Sequence, residues 1–388
     1  IRFLVVFVNK SKHKVKMEMK PNFFRDFKMS MIAAICALTF VSCDDDENDD
    51  NIPGSDFNRT AMLESLGTNL IVPNFESLQS SVNSLSQATN DFVENTNEQN
   101  LSTLRSEWVQ AVKDHQHCSA FGFGPGELLL GPYATVLGVF PVNEDQVEEN
   151  ILNPNFDLPN SFNRAIRGFY TVEYLIYRNN LSDAEIVASF DQNRKDYLLL
   201  IVDELKTSFD SIAAEWNGGY LQEFISNDGT SAGSSISLLY NAFVIDYENL
   251  KNFKVELPAG LTAGQPTTDG SLVEAYYSGI SAELIKEHFE NSKDIWFGRS
   301  PSGMDLIGFE EYLENVMGGP ALIETTKAAI IDVDEAILNL PEGPLSENVN
   351  SPEVEILRDE LQANTSNFKS SMSSLLGISI TFNSGDGD

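Results

Sequence analysis

Apolar residues recur every three or four positions along most of this chain, which is the spacing of amphipathic helices. In the first such segment the pattern runs from Leu63 to Leu70 and continues beyond Pro73. Sustained alternation of apolar and polar residues, which is typical of half-buried strands, is rare. The pattern therefore predicts an all-α fold. Because proline lacks the amide hydrogen that a helix interior needs, Pro73 is expected to break or kink the first helix.

Capping residues mark the ends of further predicted helices. Ser182 and Glu185 have the spacing of a capping box and predict the start of a long helix, which Gly218 and Gly219 end. Gly377 fits a C-terminal stop, and Ser161 fits the cap of the helix that follows it. The predicted helices cover residues 101–118, 162–176, 183–216, 236–250, 282–296, 305–316, 320–340 and 352–376.

The body of the chain contains one strong candidate for a boundary between two halves. Residues 227–235 are rich in glycine, serine and other polar residues, with no apolar periodicity. The sequence therefore predicts an N-terminal helical half over residues 58–226 and a C-terminal helical half over residues 227–388.

The first 42 residues predict an export signal. Residues 1–16 are interpreted as lying upstream of a start at Met17 or Met19, after which a basic segment precedes the apolar residues 31–41. That apolar segment is shorter than the roughly 20 residues that a membrane-spanning helix needs. Residues 1–42 are therefore interpreted as upstream residues and a lipoprotein signal peptide, and Cys43 as the lipidated N-terminus.

An acidic, polar segment follows, over residues 43–57. It resembles the export signals of surface-displayed lipoproteins in Bacteroidetes-type bacteria, and it is also typical of a flexible, solvated tether. Together with Cys43, it predicts an outer membrane lipoprotein whose partner is the membrane, contacted through the lipid. The sequence leaves open whether the protein is surface-exposed or faces the periplasm.

Charge and cysteine content narrow the functional classes. The net charge of −33 over 388 residues excludes a basic patch for nucleic acid, and it favours cations and metal ions as ligands. The simpler interpretation is that this charge keeps an exposed protein soluble. With Cys36 in the predicted signal and Cys43 acylated, Cys118 is left alone, so the fold depends on its hydrophobic core and not on disulfides.

One short motif carries a family resemblance. Gly168-Phe169-Tyr170-Thr171-Val172-Glu173 resembles the Gly-x-His-x-x-Glu signature of the imelysin family, with tyrosine in the histidine position. Five other segments resemble family motifs in the family's order, which extends the resemblance over residues 60–388. They are residues 119–125, 139–142, 250–261, 274–279 and 376–382.

The resemblance implies two helical-bundle halves around a shared cleft, and a metal or peptidase site built on the signature. A hydrolytic metal site needs three protein ligands and one open position. Here Tyr170 replaces the signature histidine, and Ser119 stands where the family has an earlier glutamate. Only Glu173 remains of the three expected ligands, so the residues favour loss of peptidase activity over its retention.

Several residues remain candidates for a site. His115 and Cys118 share a helical face and could join Glu173 as metal ligands, although a histidine satisfied in the core or at the surface is the commoner case. If Glu173 is buried it needs a hydrogen bond, a cation or a raised pKa; the structural alternative is a carboxylate paired with an arginine or a backbone group.

The second half contributes its own candidates. Lys254, Glu274 and Ser278 are predicted to line the cleft with Gly168 and Tyr170, or, for Lys254, to set a helix end. His288 is interpreted as part of a solvated helix face.

Three functions follow as hypotheses. The leading one is a cell-envelope imelysin-like lipoprotein that binds a small ligand in its cleft in connection with iron or metal acquisition. The second is a metal-dependent peptidase that uses Glu173, and the third is a structural or adhesive surface lipoprotein. The cofactor, if there is one, is expected to be a divalent metal or iron.

Overall fold

The computed structural model of the chain describes residues 57–153, 155–178 and 180–382. The predicted signal peptide, the lipidation site Cys43 and all but the last residue of the tether lie outside the described residues. The described residues all belong to one compact unit. The proposed division into two halves near residue 227 therefore stays a prediction as a domain boundary, although a loop does fall at residues 227–234.

Helices form most of the described part and strands form very little of it, which confirms the predicted all-α class. In chain order they are α1 (Arg59–Leu66), α2 (Val72–Glu94), α3 (Glu98–Gln116), α4 (Ala134–Leu137), α5 (Glu144–Leu152), α6 (Gly168–Tyr177), α7 (Asp183–Ser189), α8 (Gln192–Glu215), α9 (Leu221–Ser226), α10 (Ser235–Asn249), α11 (Leu257–Ala259), α12 (Ser281–Phe297), α13 (Phe309–Glu314), α14 (Gly319–Leu338), α15 (Leu345–Asn348), α16 (Pro352–Ser366) and α17 (Ser373–Leu376). A small antiparallel hairpin joins β1 (Glu127–Leu128) to β2 (Gly131–Pro132).

Two groups of helices pack around a common interface. Helices α2, α3, α6 and α8 form the first group, and α10, α12, α14 and α16 form the second. Helix α3 packs directly against α12, which joins the two groups. This arrangement agrees with the expectation of two helical-bundle halves that share a cleft. No helix in the described ranges is long and apolar enough to cross a membrane.

Four π-helical segments interrupt the long helices within the described residues. They are Gly67–Ile71, Trp216–Tyr220, Leu250–Glu256 and Asn367–Met372. A π turn contains more residues than an α turn, so it changes the direction in which the following side chains point, and such turns are frequent at functional sites. The segment Leu250–Glu256 contains Lys254, which is 6 % exposed.

Pro73 does not break its helix. It lies in the first turn of α2, directly after the π segment Gly67–Ile71. The backbone is already helical when it reaches Pro73, and the π segment changes the hydrogen-bonding pattern directly before the residue that lacks an amide hydrogen, so the chain continues as helix up to Glu94.

The helix that carries the signature is shorter than the spacing predicts. It begins at Gly168, and Phe162, placed on its apolar face by the sequence pattern, is 81 % exposed. The reason is the buried guanidinium of Arg167. It donates to the carbonyl oxygens of Leu158 and Ser161 at 2.9 and 2.6 Å and pairs with Glu204, which holds the preceding segment outside the α-helix, with a single 3-10 turn at Arg164–Ile166.

Two further helix predictions are corrected in their extent. The capping box at Ser182 and Glu185 is present but opens only the short α7, since Asp191 caps α8 separately. The helix predicted over residues 352–376 is divided by the π segment Asn367–Met372, and it ends at Gly377 in the left-handed conformation, as predicted.

Candidate functional site

A cavity of about 250 Å³ lies where α3, α4, α10 and α12 approach one another. Its walls combine apolar side chains with buried charged groups, as in a small-molecule site. The lining residues are His115, Gln116, Ser119, Ala134, Thr135, Gly138, Val139, Phe140, Asp246, Asn249, Phe253, Lys254, Leu257, Glu274 and His288.

A buried network of four side chains forms one side of this cavity. The Lys254 ammonium lies 2.9 Å from one carboxylate oxygen of Glu274 and donates to Gln116 Oε1 at 2.5 Å. The Tyr170 hydroxyl donates to the other carboxylate oxygen of Glu274, as does the Gln116 amide at 3.2 Å. Burial and the Glu274 carboxylate raise the pKa of Tyr170 well above its usual value, so the phenol stays a hydrogen-bond donor.

A second carboxylate, Asp246 on α10, faces the same cavity with its own partners. The Ser119 hydroxyl donates to Asp246 Oδ2 at 2.9 Å, and His288 Nε2 lies 2.9 Å from the same oxygen. His288 is 2 % exposed, so its interpretation as part of a solvated face is wrong. Its partner lies 42 residues away in the sequence, on a different helix, so nothing in the local charge pattern reveals the pair.

His115 lies deeper in the wall, with its ring against those of Phe169 and Tyr133, at centroid distances of 4.8 and 5.7 Å. Gly138 lies beside the imidazole, where a β-carbon would come within 2.9 Å of Cε1. Burial and the positive charge of Lys254 lower the pKa of His115 to about 3, so the ring is neutral at every physiological pH.

The signature glutamate, Glu173, lies about one turn after Tyr170 on α6 and connects this helix to the segment between α11 and α12. Glu173 Oε1 accepts hydrogen bonds from the backbone N–H and the hydroxyl of Ser278, both at 2.7 Å. The sequence left open an arginine or a backbone group as the structural partner of Glu173, and the structure shows the backbone group. Ala275, between Glu274 and Ser278, adopts a φ of 52°, a strained conformation for a residue with a β-carbon. Glu173 thus holds the segment that places Glu274 in the cavity.

The residues do not fit a metal site of the kind that the family resemblance implies. Within residues 57–153, 155–178 and 180–382, no group of three or more His, Cys, Asp or Glu side chains is placed to hold a metal ion. The donor chemistry gives the reason. An ammonium, from Lys254, already lies against Glu274, and a phenol donor, Tyr170, stands where the signature has histidine.

The structure brings most of the predicted site residues together. Tyr170, Ser119, Lys254, Glu274 and His115 lie in or directly behind the cavity wall. The buried Glu173 and the half-buried Ser278 form a separate pair, and Gly168 begins α6.

Cys118 is buried near these residues without lining the cavity. Its thiol is free within the described part of the chain, and burial raises its pKa well above the usual value, which disfavours the thiolate that a metal needs. Sequence reasoning missed Gln116 and Asp246, whose partners become visible only in three dimensions.

The wild-type protein should lose stability as the pH rises from about 4.5 to about 7, and Glu173→Gln should abolish this loss. Burial raises the pKa of Glu173 from 4.5 to about 7, so over this interval the folded state holds a proton that the unfolded state has lost. Glutamine keeps an oxygen for Ser278 but does not titrate. The free energy of unfolding of the variant, relative to that of wild type, should therefore rise by about 2 to 3 kcal/mol between pH 4 and pH 8. Urea denaturation at the two pH values measures it.

The matched control is Glu64→Gln, which changes an exposed glutamate on α1. Because this position is exposed, the substitution should change the free energy of unfolding by less than about 0.5 kcal/mol at either pH. A Glu173→Gln difference that is equally independent of pH would contradict the raised pKa.

Comparison with known proteins places this geometry in context. The family model described as Imelysin matches residues 71–372. A structure from Parabacteroides distasonis ATCC 8503, described as a "putative iron-regulated protein A precursor", has a TM-score of 0.69 at 15% identity, covering 82% of this chain and 95% of that chain. An imelysin-like protein from Psychrobacter arcticum 273-4 has a TM-score of 0.68 at 18% identity, covering 84% and 97%. No curated protein matches the chain.

Proposed function

Since this chain belongs to the imelysin family, we propose that it is a cell-envelope protein that binds a small ligand in the cavity between its helical halves and has no metallopeptidase activity. The observation that carries the proposal is the cavity itself, in which buried polar groups converge from α3, α10 and α12 on a space of about 250 Å³. A cavity with apolar walls and a few placed polar groups is the usual form of a small-molecule site.

The donor set argues against hydrolysis. A metallopeptidase needs a metal with an open position to polarise a carbonyl or activate water. Glu274 is held by Lys254 and Tyr170, and Asp246 by Ser119 and His288, so both carboxylates near the cavity already have partners.

The connection to iron is a separate part of the proposal. The similar protein from Parabacteroides distasonis is described by its iron regulation. We extend that property to this chain as a regulatory role, in which the protein is made under iron limitation. A transcript level that does not change when iron is withdrawn from the native host would contradict it.

Blocking the cavity tests the binding function. Ala134 lines the cavity from α4, so Ala134→Trp should fill it, whereas Ala328→Trp places the same side chain at an exposed position on α14. The three proteins are screened against a fragment library by ligand-detected NMR. We expect a set of fragments to bind wild type and the Ala328→Trp variant but not the Ala134→Trp variant. If no fragment distinguishes the two variants, the cavity is not a binding site.

The same purified protein tests the absence of peptidase activity. Incubated with a peptide library in the presence of Zn²⁺ or Fe²⁺, it should give no cleavage above the level of a heat-denatured sample. Cleavage that a chelator abolishes would overturn this part of the proposal.

The placement in the cell envelope depends on Cys43. We expect cells fed labelled palmitate to incorporate the label into the wild-type protein and to lose more than about nine-tenths of it in Cys43→Ser, because the thiol is the acylated group. Cys36→Ser is the matched control, since Cys36 lies within the same predicted signal, and its labelling should be unchanged. Equal labelling of both variants would contradict the lipoprotein assignment.

A further inference from the structure

His115 presents an imidazole to the cavity without using either of its nitrogens. Among the residues that the structure describes, neither Nδ1 nor Nε2 has a hydrogen-bond partner, although the side chain is only 4 % exposed. Buried polar side chains nearly always have a partner, so an unpaired imidazole in a cavity wall is a strong indication of a missing group. The His115 ring borders the cavity, so a group bound there would lie beside it.

The protonation state of the ring restricts the chemistry of that group. Because burial and Lys254 keep His115 neutral, one nitrogen carries a hydrogen and the other a free lone pair. A hydroxyl or an amide both donates and accepts, and so matches either tautomer. A cation can satisfy only the lone pair, and a carboxylate only the N–H.

The charges around the cavity also favour an uncharged ligand. Glu274 is paired with the Lys254 ammonium, whereas Asp246 accepts a hydrogen bond from the Ser119 hydroxyl and lies 2.9 Å from His288 Nε2. Beside the His115 ring an added cation would be repelled by the Lys254 ammonium, the same charge that lowers the pKa of His115, and an added anion would be repelled by Asp246 and Glu274. A neutral ligand avoids both interactions.

The remaining walls set the size and polarity of the ligand body. Val139, Phe140, Phe253 and Leu257 contribute apolar surface to the cavity. An apolar cavity of about 150 Å³ accommodates benzene, so 250 Å³ leaves space for a molecule of about ten non-hydrogen atoms.

We propose that the cavity takes an uncharged molecule of about this size, with an aromatic or short aliphatic body and one hydroxyl or amide group that hydrogen-bonds to His115. The inference rests on the proposed function, which says only that the cavity binds a ligand. It adds the ligand class and the residue that recognises it.

Four small probes of similar shape test the class: benzyl alcohol, ethylbenzene, benzylammonium and benzoate. At neutral pH, calorimetry on the wild-type protein should give benzyl alcohol a dissociation constant on the order of 100 µM. Benzylammonium and benzoate should bind at least tenfold more weakly. In protein labelled with ¹⁵N-histidine, benzyl alcohol should shift the ring signals of His115.

The substitution His115→Phe isolates the hydrogen bond, because it keeps an aromatic ring and removes both nitrogens. Benzyl alcohol and ethylbenzene differ only in a hydroxyl against a methyl group. The preference for the alcohol should therefore fall about tenfold in the variant, while ethylbenzene binds as before or more tightly. Should His115→Phe fail to fold, His115→Leu serves for the same comparison.

The outcomes separate the ligand class from the binding function. An unchanged preference in the His115 variant, or tighter binding of either charged probe than of the alcohol, overturns the inference. So does a result in which none of the four probes binds while other fragments still distinguish Ala134→Trp from wild type, and in that case the binding function stands. Benzyl alcohol binding that Ala134→Trp leaves intact would place the ligand elsewhere and overturn both.

Discussion

Replacing Gly168 by alanine should destabilise the protein by about 4 kcal/mol or more, which is among the largest effects expected of one methyl group. Two causes combine at this position. Gly168 has a φ of +77°, which strains any residue with a β-carbon. An added β-carbon would also collide with the carbonyl oxygen of Leu137, a backbone atom that cannot rotate away. Urea denaturation at pH 7 measures the effect.

Gly218→Ala is the matched control, because it is also a glycine-to-alanine substitution. Gly218 lies in the π segment Trp216–Tyr220, and no described atom lies within 4 Å of the position that a β-carbon would take. Its free energy of unfolding should change by less than about 1 kcal/mol. Equal effects of the two substitutions would show that the contact between α6 and the end of α4 is looser than the structure indicates.

Replacing Lys254 by methionine should cost about 3 to 5 kcal/mol, because it leaves the Glu274 carboxylate buried without its ammonium partner. Adding Glu274→Gln should restore at least half of that loss, since the double variant contains no unpaired charge. Double-mutant analysis of the denaturation curves gives the coupling between the two side chains. If the second substitution adds to the loss, the destabilisation comes from lost packing and not from charge.

An exposed ion pair gives the scale for comparison. Lys206 and Asp210 lie one turn apart on α8, and both are more than a third exposed. Lys206→Met should change the free energy of unfolding by less than about 1 kcal/mol, because water screens and replaces such a pair.

The all-α class could be predicted because helical periodicity is a local property of the sequence. The start of α6 could not, because it depends on Arg167, whose guanidinium binds two backbone carbonyls and Glu204. Local pattern reports which faces of a segment are apolar, but it does not report where a buried charge finds its partners. For that reason the segment before Gly168 has helical spacing without being part of the helix.

Residues of the site could be predicted from the sequence only where they lie in family-like motifs. Family-like motifs pointed to Tyr170, Lys254, Glu274 and Ser278. The first three do meet, and Ser278 pairs with Glu173. Tyr170 lies 104 residues from Glu274 in the sequence, and Glu173 lies 105 residues from Ser278. The motifs therefore identify which side chains meet, but not which of them bond to each other.

The π segment Leu250–Glu256 has a consequence for how this site could have arisen. A π turn differs from an α turn by one additional residue, so it can originate as a single-codon insertion in an ancestral helix. Such an insertion turns every following side chain by about a quarter of a revolution. Lys254 lies within this segment, so the loss of one residue before it would turn its ammonium away from Glu274. The buried Lys254 ammonium could therefore be lost from this cavity by a single mutation.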